Sequence, residues 1–522
     1  EDKATHIIKQ LEVRPITREQ LVTEVKGIYA GLVMAENKCI EIDSQNPSRN
    51  PDNTTNEQWQ SLIAQHRKLL YEHHDFFLAS QHPSASPALR KLASKYAISA
   101  RMWRYSIHNL LELLRHHLPA SIEHILSFIY LAYSIITVLY ETVPAFQETW
   151  EECLGDLSRY RMAIEVDNTR DYKIWTGVSR DWYSKASDKV PTTGRLYHHL
   201  AIVTRPHVLQ QLFYYGKSLC VPIPFHPGRD SVAKFFETNM ALYANDRLAP
   251  CEHSFVVING ILFSGTKFEK LKSATRDFIG GLNTYINHSA DSGFYIGISI
   301  CHALLGYGNE TNPVSKAFRR KKAAVEHYGL DNAAARVKTS DAVPQDQQNA
   351  LSFAIAAHSA VLERGGDPTT LAYIHVTLVF MRHVVSFPEL KYLAYHFPWK
   401  LISRLLNTLI HDQSKCVFET EKFPSTENGE RLGPLAEDYA MRGHDWADCY
   451  FPGDWFSSEC EGGERKATTD SIAEKRRIRI LALGYQIARQ NQYLRYDKHT
   501  RHFTVVSEYE ISIPGHVVPA YI

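Results

Sequence analysis

Apolar residues recur at three- and four-residue spacing along most of the chain, and the breaks between these stretches fall near Pro, Ser or Asp. That period puts apolar side chains on one face of a helix. It predicts helices over 17–46, 54–80, 84–117, 120–142 and 144–166, further helical segments to about 306, and helices again over 346–408 and 469–490. Strand-like alternation is nearly absent until "QYLRYDKHTRHFTVVS" (492–507), which reads as strand, turn, strand. The expected fold class is all-α with one small C-terminal β-hairpin. Two stretches, 309–345 and 411–468, interrupt the helical pattern with polar segments. Loops of that length are usually functional or flexible.

Length adds that one simple core is too small for 522 residues, so sub-domains or an extended array are expected. The 58 basic and 57 acidic residues nearly cancel, so any anion-binding site has to be local. Eight cysteines are scattered singly without a CxxC, a spacing that fits neither a zinc site nor a disulfide framework. Reduced thiols and a cytoplasmic and/or nuclear location follow as the expectation. The chain starts at Glu1 rather than Met, as a trimmed product does, and shows no leader pattern. The longest apolar run, "ILSFIYLAYSIITVLY" (125–140), falls short of the ~18 residues of a spanning helix. It is expected as a buried helix, with no membrane partner.

No GxSxG, P-loop, HExxH or Cys-His signature occurs, so no catalytic residue, cofactor or metal is expected. The histidine pairs at 73–74, 116–117 and 198–199 lack the i, i+4 spacing of helical metal ligands and read as core or surface residues.

From about 150 the pattern becomes repetitive. In "WYSKASDKVP" (182–191), Tyr183, Ala186 and Pro191 are spaced as in the second helix of a tetratricopeptide-like repeat. Tyr197, Leu200 and Ala201 then take first-helix positions, and "LFYYGKSLCVP" (212–222) supplies another aromatic, small residue and Pro. Small residues let stacked helices approach while aromatics fill the gaps.

Two helices carry unexpected charge. Along 89–117, Arg101, Arg104, His108, Glu112 and Arg115 fall within an arc of about 80° on a regular helix. Around Arg159, the residues Leu154, Leu157, Ala163 and Ile164 imply burial; Gly155 removes bulk one turn earlier, and Asp156 is placed to pair with the guanidinium. Two arginine-bearing helices need something anionic between them. A phosphate suits that need, since guanidinium grips it in a bidentate fork and Tyr160 adds a directed donor. An internal network with Glu112, Glu151 or Glu152 serves equally on these residues alone. "RRKK" (319–322) reads as a solvated run or a nuclear-import or nucleic-acid patch, and "HDWADCYFPGDWF" (444–456) as a loop packing its own aromatics or as a partner groove.

"GDLSRY" (155–160) resembles the GDxxRY sequence of 14-3-3 proteins, whose Arg-Tyr pair grips phosphoserine. Together with "RMWRYSIHNLLELLRHHLP", "ETWEECLGDLSRYR", "WYSKASDKVPTTGRLYHHLAIV" and "LFYYGKSLCVPIPF", it is similar to the Smg/telomerase-regulator family, adaptors of nonsense-mediated mRNA decay and of telomerase. The resemblance covers roughly 85–230 firmly and extends more loosely to about 490. It implies a phosphate site of Arg159, Tyr160, His108, Arg104 and Arg115, with Arg101 and Asp156 in support. His108 stands where the family usually has Lys and is only partly protonated near neutral pH. Some members end in a PIN nuclease; the residues after 490 do not fit one.

The implied organisation is a 14-3-3-like domain over 1–166, tetratricopeptide-like repeats over 167–245, a helical-hairpin domain over 246–490, and a hairpin with an extended tail over 491–522. The expected function is a non-enzymatic adaptor that binds a phosphorylated Ser/Thr segment in an RNA-decay or telomere-related complex. A paralogous or identical subunit, met through the 14-3-3-like domain, and nucleic acid are secondary partners. The alternatives are a DNA/RNA-binding regulatory subunit or a structural scaffold whose arginines are internal.

Overall fold

The helical spacing of apolar positions is realised as helix almost throughout. The computed structural model describes residues 16–45, 56–165, 168–241, 249–288, 292–328, 343–411, 418–425, 432–456 and 469–510. They fall into two units divided between Lys189 and Val190.

In the first unit, α1 (Arg18–Gln45) and α2 (Asn56–Ser80) pair along apolar stripes that bury Leu21, Val25 and Leu32 against Leu62, Leu69 and Phe76. The segment expected as one helix over 84–117 is instead broken. It runs as three single turns, Pro87–Arg90, Leu92–Lys95 and Ile98–Arg101, then a π-helical stretch Met102–His108, then α3 (Asn109–His116). Ala97 lies in the left-handed region at φ 49° and ends the second turn. The wider π turn then changes the angle between residues before and after it, so the regular-helix arc fails here.

The apolar run forms the middle of α4 (Ile122–Thr142), whose inner side chains, among them Ile125, Phe128, Ile136 and Leu139, are core. By length and composition α4 could cross a membrane; here its inner face packs on the unit's other helices. Its outer face shows Tyr130, 78% exposed.

α5 (Gln147–Ile164) and α6 (Thr169–Lys189) pack along their length. The proposed start of the repeats at 167 therefore differs from the break observed after Lys189. The reason is local: Tyr183 of α6 seats its ring against Gly155 of α5, and Ser179 Oγ donates to Gly155 O at 2.9 Å.

The second unit begins with α7 (Gly194–Val203) and α8 (Val208–Cys220), an antiparallel pair that buries Tyr197, Ala201, Leu212 and Tyr215, the repeat positions. It continues through α9 (Arg229–Ala241), α10 (Pro250–Ser264), α11 (Leu271–His288), α12 (Ser292–Leu304), α13 (Pro313–Tyr328), α14 (Gln345–Leu362) and α15 (Leu371–Val384). α16 (Trp399–His411), α17 (Ala436–Met441) and α18 (Thr469–Arg489) follow. β1 (Leu494–Asp497) and β2 (His502–Val505) close the described chain as an antiparallel hairpin, with Leu494 opposite Val505 and Tyr496 opposite Phe503.

α13 and α17 correct the two expected long loops in part. Val314, Ala317 and Phe318, at helical spacing, are buried and hold α13 down. Residues 329–342, 412–417, 426–431 and 457–468 of those stretches lie outside the described residues.

The 444–456 segment packs inward: Trp446, Tyr450 and Trp455 are buried. Two buried ion pairs join α18 to α17. Arg476 grips Glu437 with two bonds of 2.8 Å, and Arg479 reaches Asp438 at 2.5 and 2.6 Å. His375 Nδ1 meets Glu437 at 3.2 Å, and Trp455 Nε1 donates to Asp438 at 3.3 Å. Burying an ion pair gains little net stability, yet removing one partner is costly.

Candidate anion site in the first unit

The sequence places Arg159 and Tyr160 side by side on α5, and the helix sends them in different directions. Tyr160 is buried, and its hydroxyl donates to Glu112 Oε1 on α3 at 2.6 Å. Arg159 is half-buried, its guanidinium lying 5.4 Å from the Tyr160 ring centre. Its Nη2 bonds Asp156 Oδ1 at 3.1 Å and its Nε donates to the Tyr183 hydroxyl at 3.2 Å. Tyr183 in turn donates to the same Asp156 oxygen at 2.6 Å. Asp156 thus does hold Arg159, and Tyr183 closes the triangle.

From α3, Arg115 reaches Glu112 Oε2 through Nη2 at 2.6 Å and Nε at 3.3 Å. His108, the last residue of the π stretch, sets its ring edge-on to Tyr160, with 6.5 Å between centres. Arg115 and Arg159 are near enough for each to oppose the other's charge. The result is a small seat of Arg115, Arg159, His108 and Tyr160 with two carboxylates, Glu112 on Arg115 and Asp156 on Arg159. Arg115 is 46% exposed, Glu112 29% and Arg159 27%, so the seat is open to solvent.

The charges follow from the geometry. Burial works against the Glu112 carboxylate, but hydrogen bonds from Arg115 and Tyr160 hold it below the usual carboxylate range. Burial raises the Tyr160 hydroxyl, and its bond to Glu112 raises it further. Burial also opposes the Arg159 charge, which Tyr183 and Asp156 more than restore. At neutral pH the seat therefore holds the Arg115 and Arg159 guanidiniums, a neutral phenol and the ionised Glu112, with Asp156 bonded to Arg159.

Two of the expected residues are not brought in. Arg101 turns to α1, where its Nε bonds Glu36 at 3.0 and 3.2 Å and its guanidinium lies over the Tyr29 ring. Arg104 is exposed and lies over Tyr105 at 5.3 Å. Both precede or fall inside the π stretch, which rotates them relative to His108 and Arg115. Sequence reasoning named Glu112 as a partner in an internal network, and Arg115 and Tyr160 do bond it. Tyr183 stood out only as a repeat aromatic.

The fold is all-α, a helical array of the 14-3-3-like and tetratricopeptide-repeat type with one small β-hairpin. Residues 179–290 match a family model described as the Est1 DNA/RNA binding domain. EST/SMG-like protein 2 of Saccharomyces cerevisiae (strain ATCC 204508 / S288c) is 26% identical over 152 residues, 29% of this chain and 12% of that protein. Telomerase-binding protein EST1A of Danio rerio is 33% identical over 87 residues, 16% of this chain and 5% of that protein. The matched stretches are thus a small part of both relatives. A crystal structure of Est1 and Cdc13 superposes with a TM-score of 0.62 over 91% of this chain and 99% of that one, at 10% identity, a likeness of fold. Over these stretches the chain is similar to Est1/SMG-like proteins.

Proposed function

We propose that this protein is an adaptor, not an enzyme, that holds a phosphorylated Ser/Thr segment in the seat of Arg159, Tyr160, Arg115 and His108. The observation that supports this reading is Glu112, whose carboxylate accepts from Tyr160 and Arg115; an external anion placed beside it would meet the same donors. A phosphoryl group brings about −1.5 to −2 charge and three acceptor oxygens, enough to engage Arg159 as well. Arg104, exposed one turn before His108, steers the ligand from outside the seat. Asp156 and Tyr183 position Arg159. The complex served is of the RNA-decay or telomere type, in keeping with the family and with the relative named a telomerase-binding protein. The test is fluorescence anisotropy with a peptide carrying one phosphoserine and its unphosphorylated twin. Equal affinity for the two, or no loss with Arg159→Glu, would sink the reading.

A second reading is favoured by the matched description itself, a DNA/RNA binding domain over 179–290. It predicts contributions from many Lys and Arg residues and a steep loss of affinity with salt. The phosphopeptide reading predicts dependence on one compact site.

A further inference from the structure

The seat uses only one arginine of "SRYR" (158–161). Arg161 serves another surface, where its guanidinium lies 5.6 Å from the Trp175 ring centre on α6. That contact begins a strip of aromatic side chains along α4 and α6. Tyr133 packs edge-on to Trp175, with 6.3 Å between ring centres, and Tyr140 packs edge-on to Trp182 at 5.5 Å. The Trp182 indole Nε1 donates to the Tyr133 hydroxyl at 2.9 Å and so joins the two pairs. At the far end, Lys185 Nζ lies 5.0 Å from the Tyr140 ring centre and 5.4 Å from that of Trp182. All four rings are half-buried, so each keeps part of its surface in water.

The sequence sets the period of the strip. Tyr133 and Tyr140 are seven residues apart on α4, as are Trp175 and Trp182 on α6. Seven residues make two helical turns to within about 20°, so each pair faces one way with about 10.5 Å between its members. Each tyrosine hydroxyl already accepts a hydrogen bond inside the protein, Tyr133 from Trp182 and Tyr140 from Lys185 Nζ at 2.6 Å. Among the described residues neither hydroxyl donates to a protein acceptor, so each keeps its proton for an acceptor outside.

Two outward O–H donors at this spacing, set among aromatic rings, match a polyproline II segment. Such a segment repeats every three residues, roughly 9.3 Å, and makes no internal hydrogen bonds, so its carbonyls stay free to accept. Its pyrrolidine rings pack against aromatic grooves. The ring pairs here cross at 79° and 74°, which leaves notches between them rather than the flat faces on which bases stack. Charge agrees with a neutral ligand. Arg161 is ion-paired with Glu165, and Glu141 and Glu151 lie within electrostatic reach of Lys185. A strip whose cations are balanced in this way complements an uncharged segment and not a polyanion.

We propose that the α4–α6 strip docks an uncharged proline-rich segment in the polyproline II conformation. Its rings seat against Tyr133, Tyr140, Trp175 and Trp182, and its carbonyls accept from the two phenols. The strip shares no residue with the anion seat and does not depend on it. Fluorescein-labelled decaproline and a Gly-Ser repeat of equal length, each titrated with the full chain by anisotropy, test this. Decaproline should bind at least about tenfold more tightly, because it is preorganised and carries the rings. Tyr133→Phe and Tyr140→Phe remove only a hydroxyl and should each weaken decaproline about fivefold, the scale of one hydrogen bond. Arg115→Ala, in the seat, should change decaproline affinity less than about twofold. The peptide comparison uses the wild-type protein, so it decides the proposal even if a variant is unstable. No binding of decaproline, or equal affinity for the Gly-Ser peptide, would overturn the proposal. So would unchanged affinity in both folded tyrosine variants, or displacement of decaproline by oligo-dT.

Discussion

Replacing Gly155 with Ala sets two effects against each other. Ala is the better helix former by about 0.8–1 kcal/mol, so on propensity alone the variant gains stability. The new Cβ, however, would stand 2.7, 2.8 and 3.1 Å from ring atoms of Tyr183. That ring cannot swing aside: it is fully buried, and its hydroxyl is held by Asp156 at 2.6 Å and Arg159 at 3.2 Å. Forcing a methyl into such a contact costs about 1–3 kcal/mol. With the α6 backbone tied to Gly155 through Ser179, packing should win, and we expect a net loss of about 1–2 kcal/mol. The assay is hydrogen exchange across α5 and α6 in the full chain, since a single melting temperature mixes two units. Measured again in a Tyr183→Leu background, the Gly155→Ala cost should fall by at least about 1 kcal/mol, because the two residues touch. A stabilised Gly155→Ala protein, or a cost unchanged in the Tyr183→Leu background, would refute the reasoning.

Glu112→Gln removes a charge from the centre of the seat, so phosphopeptide affinity should rise about tenfold, the scale for one charge a few ångströms from a dianion in a solvated site; anisotropy reads it, and weaker binding would count against the seat. Histidines that burial keeps neutral should make the fold acid-sensitive. Burial lowers His73 to about 4 and His302, His358 and His383 to about 3, with Lys321 and Arg382 adding to the effect on His383 and Lys217 on His302. The unfolded chain takes up these protons from about pH 6.5 downward while the folded protein does not, so stability falls as pH drops from 6.5 toward 4. At pH 5 each such histidine costs on the order of 2 kcal/mol, and urea midpoints at pH 7 and 5 should show a larger drop in the second unit, which holds His302, His358 and His383 and also His444, likewise lowered by burial. Arg479→Leu strands Asp438 in the core and should destabilise the second unit by about 3–5 kcal/mol; hydrogen exchange in α17 and α18 checks it.

What the sequence showed depended on how local the cause was. Helices with one continuous apolar stripe, such as 54–80 and 120–142, appear within a few residues of their expected bounds. The hairpin also appears, because alternation over 492–507 has no helical competitor. The 84–117 segment misled because a π turn leaves the apolar composition unchanged while altering the angle per residue. That one departure put Arg101 on Glu36 instead of in the seat. Asp156 was legible through its three-residue spacing from Arg159; Tyr183, twenty-four residues from Arg159, was not, since only α5–α6 packing brings them together. Glu112 was legible as a partner for an internal network, but its bond to Tyr160 depends on where α5 delivers that ring.

The central claim is that one compact seat in the first unit takes a phosphoryl group. It is tested most directly by titrating the full chain with a phosphoserine peptide and with oligo-dT at several salt concentrations, using wild type and Arg115→Ala. Arg115 is nearly half exposed, so its loss should leave the fold intact. The account predicts that Arg115→Ala weakens the phosphopeptide at least about tenfold and leaves oligo-dT affinity nearly unchanged. Equal losses for both ligands, or a phosphopeptide affinity that does not respond to Arg115, would contradict it.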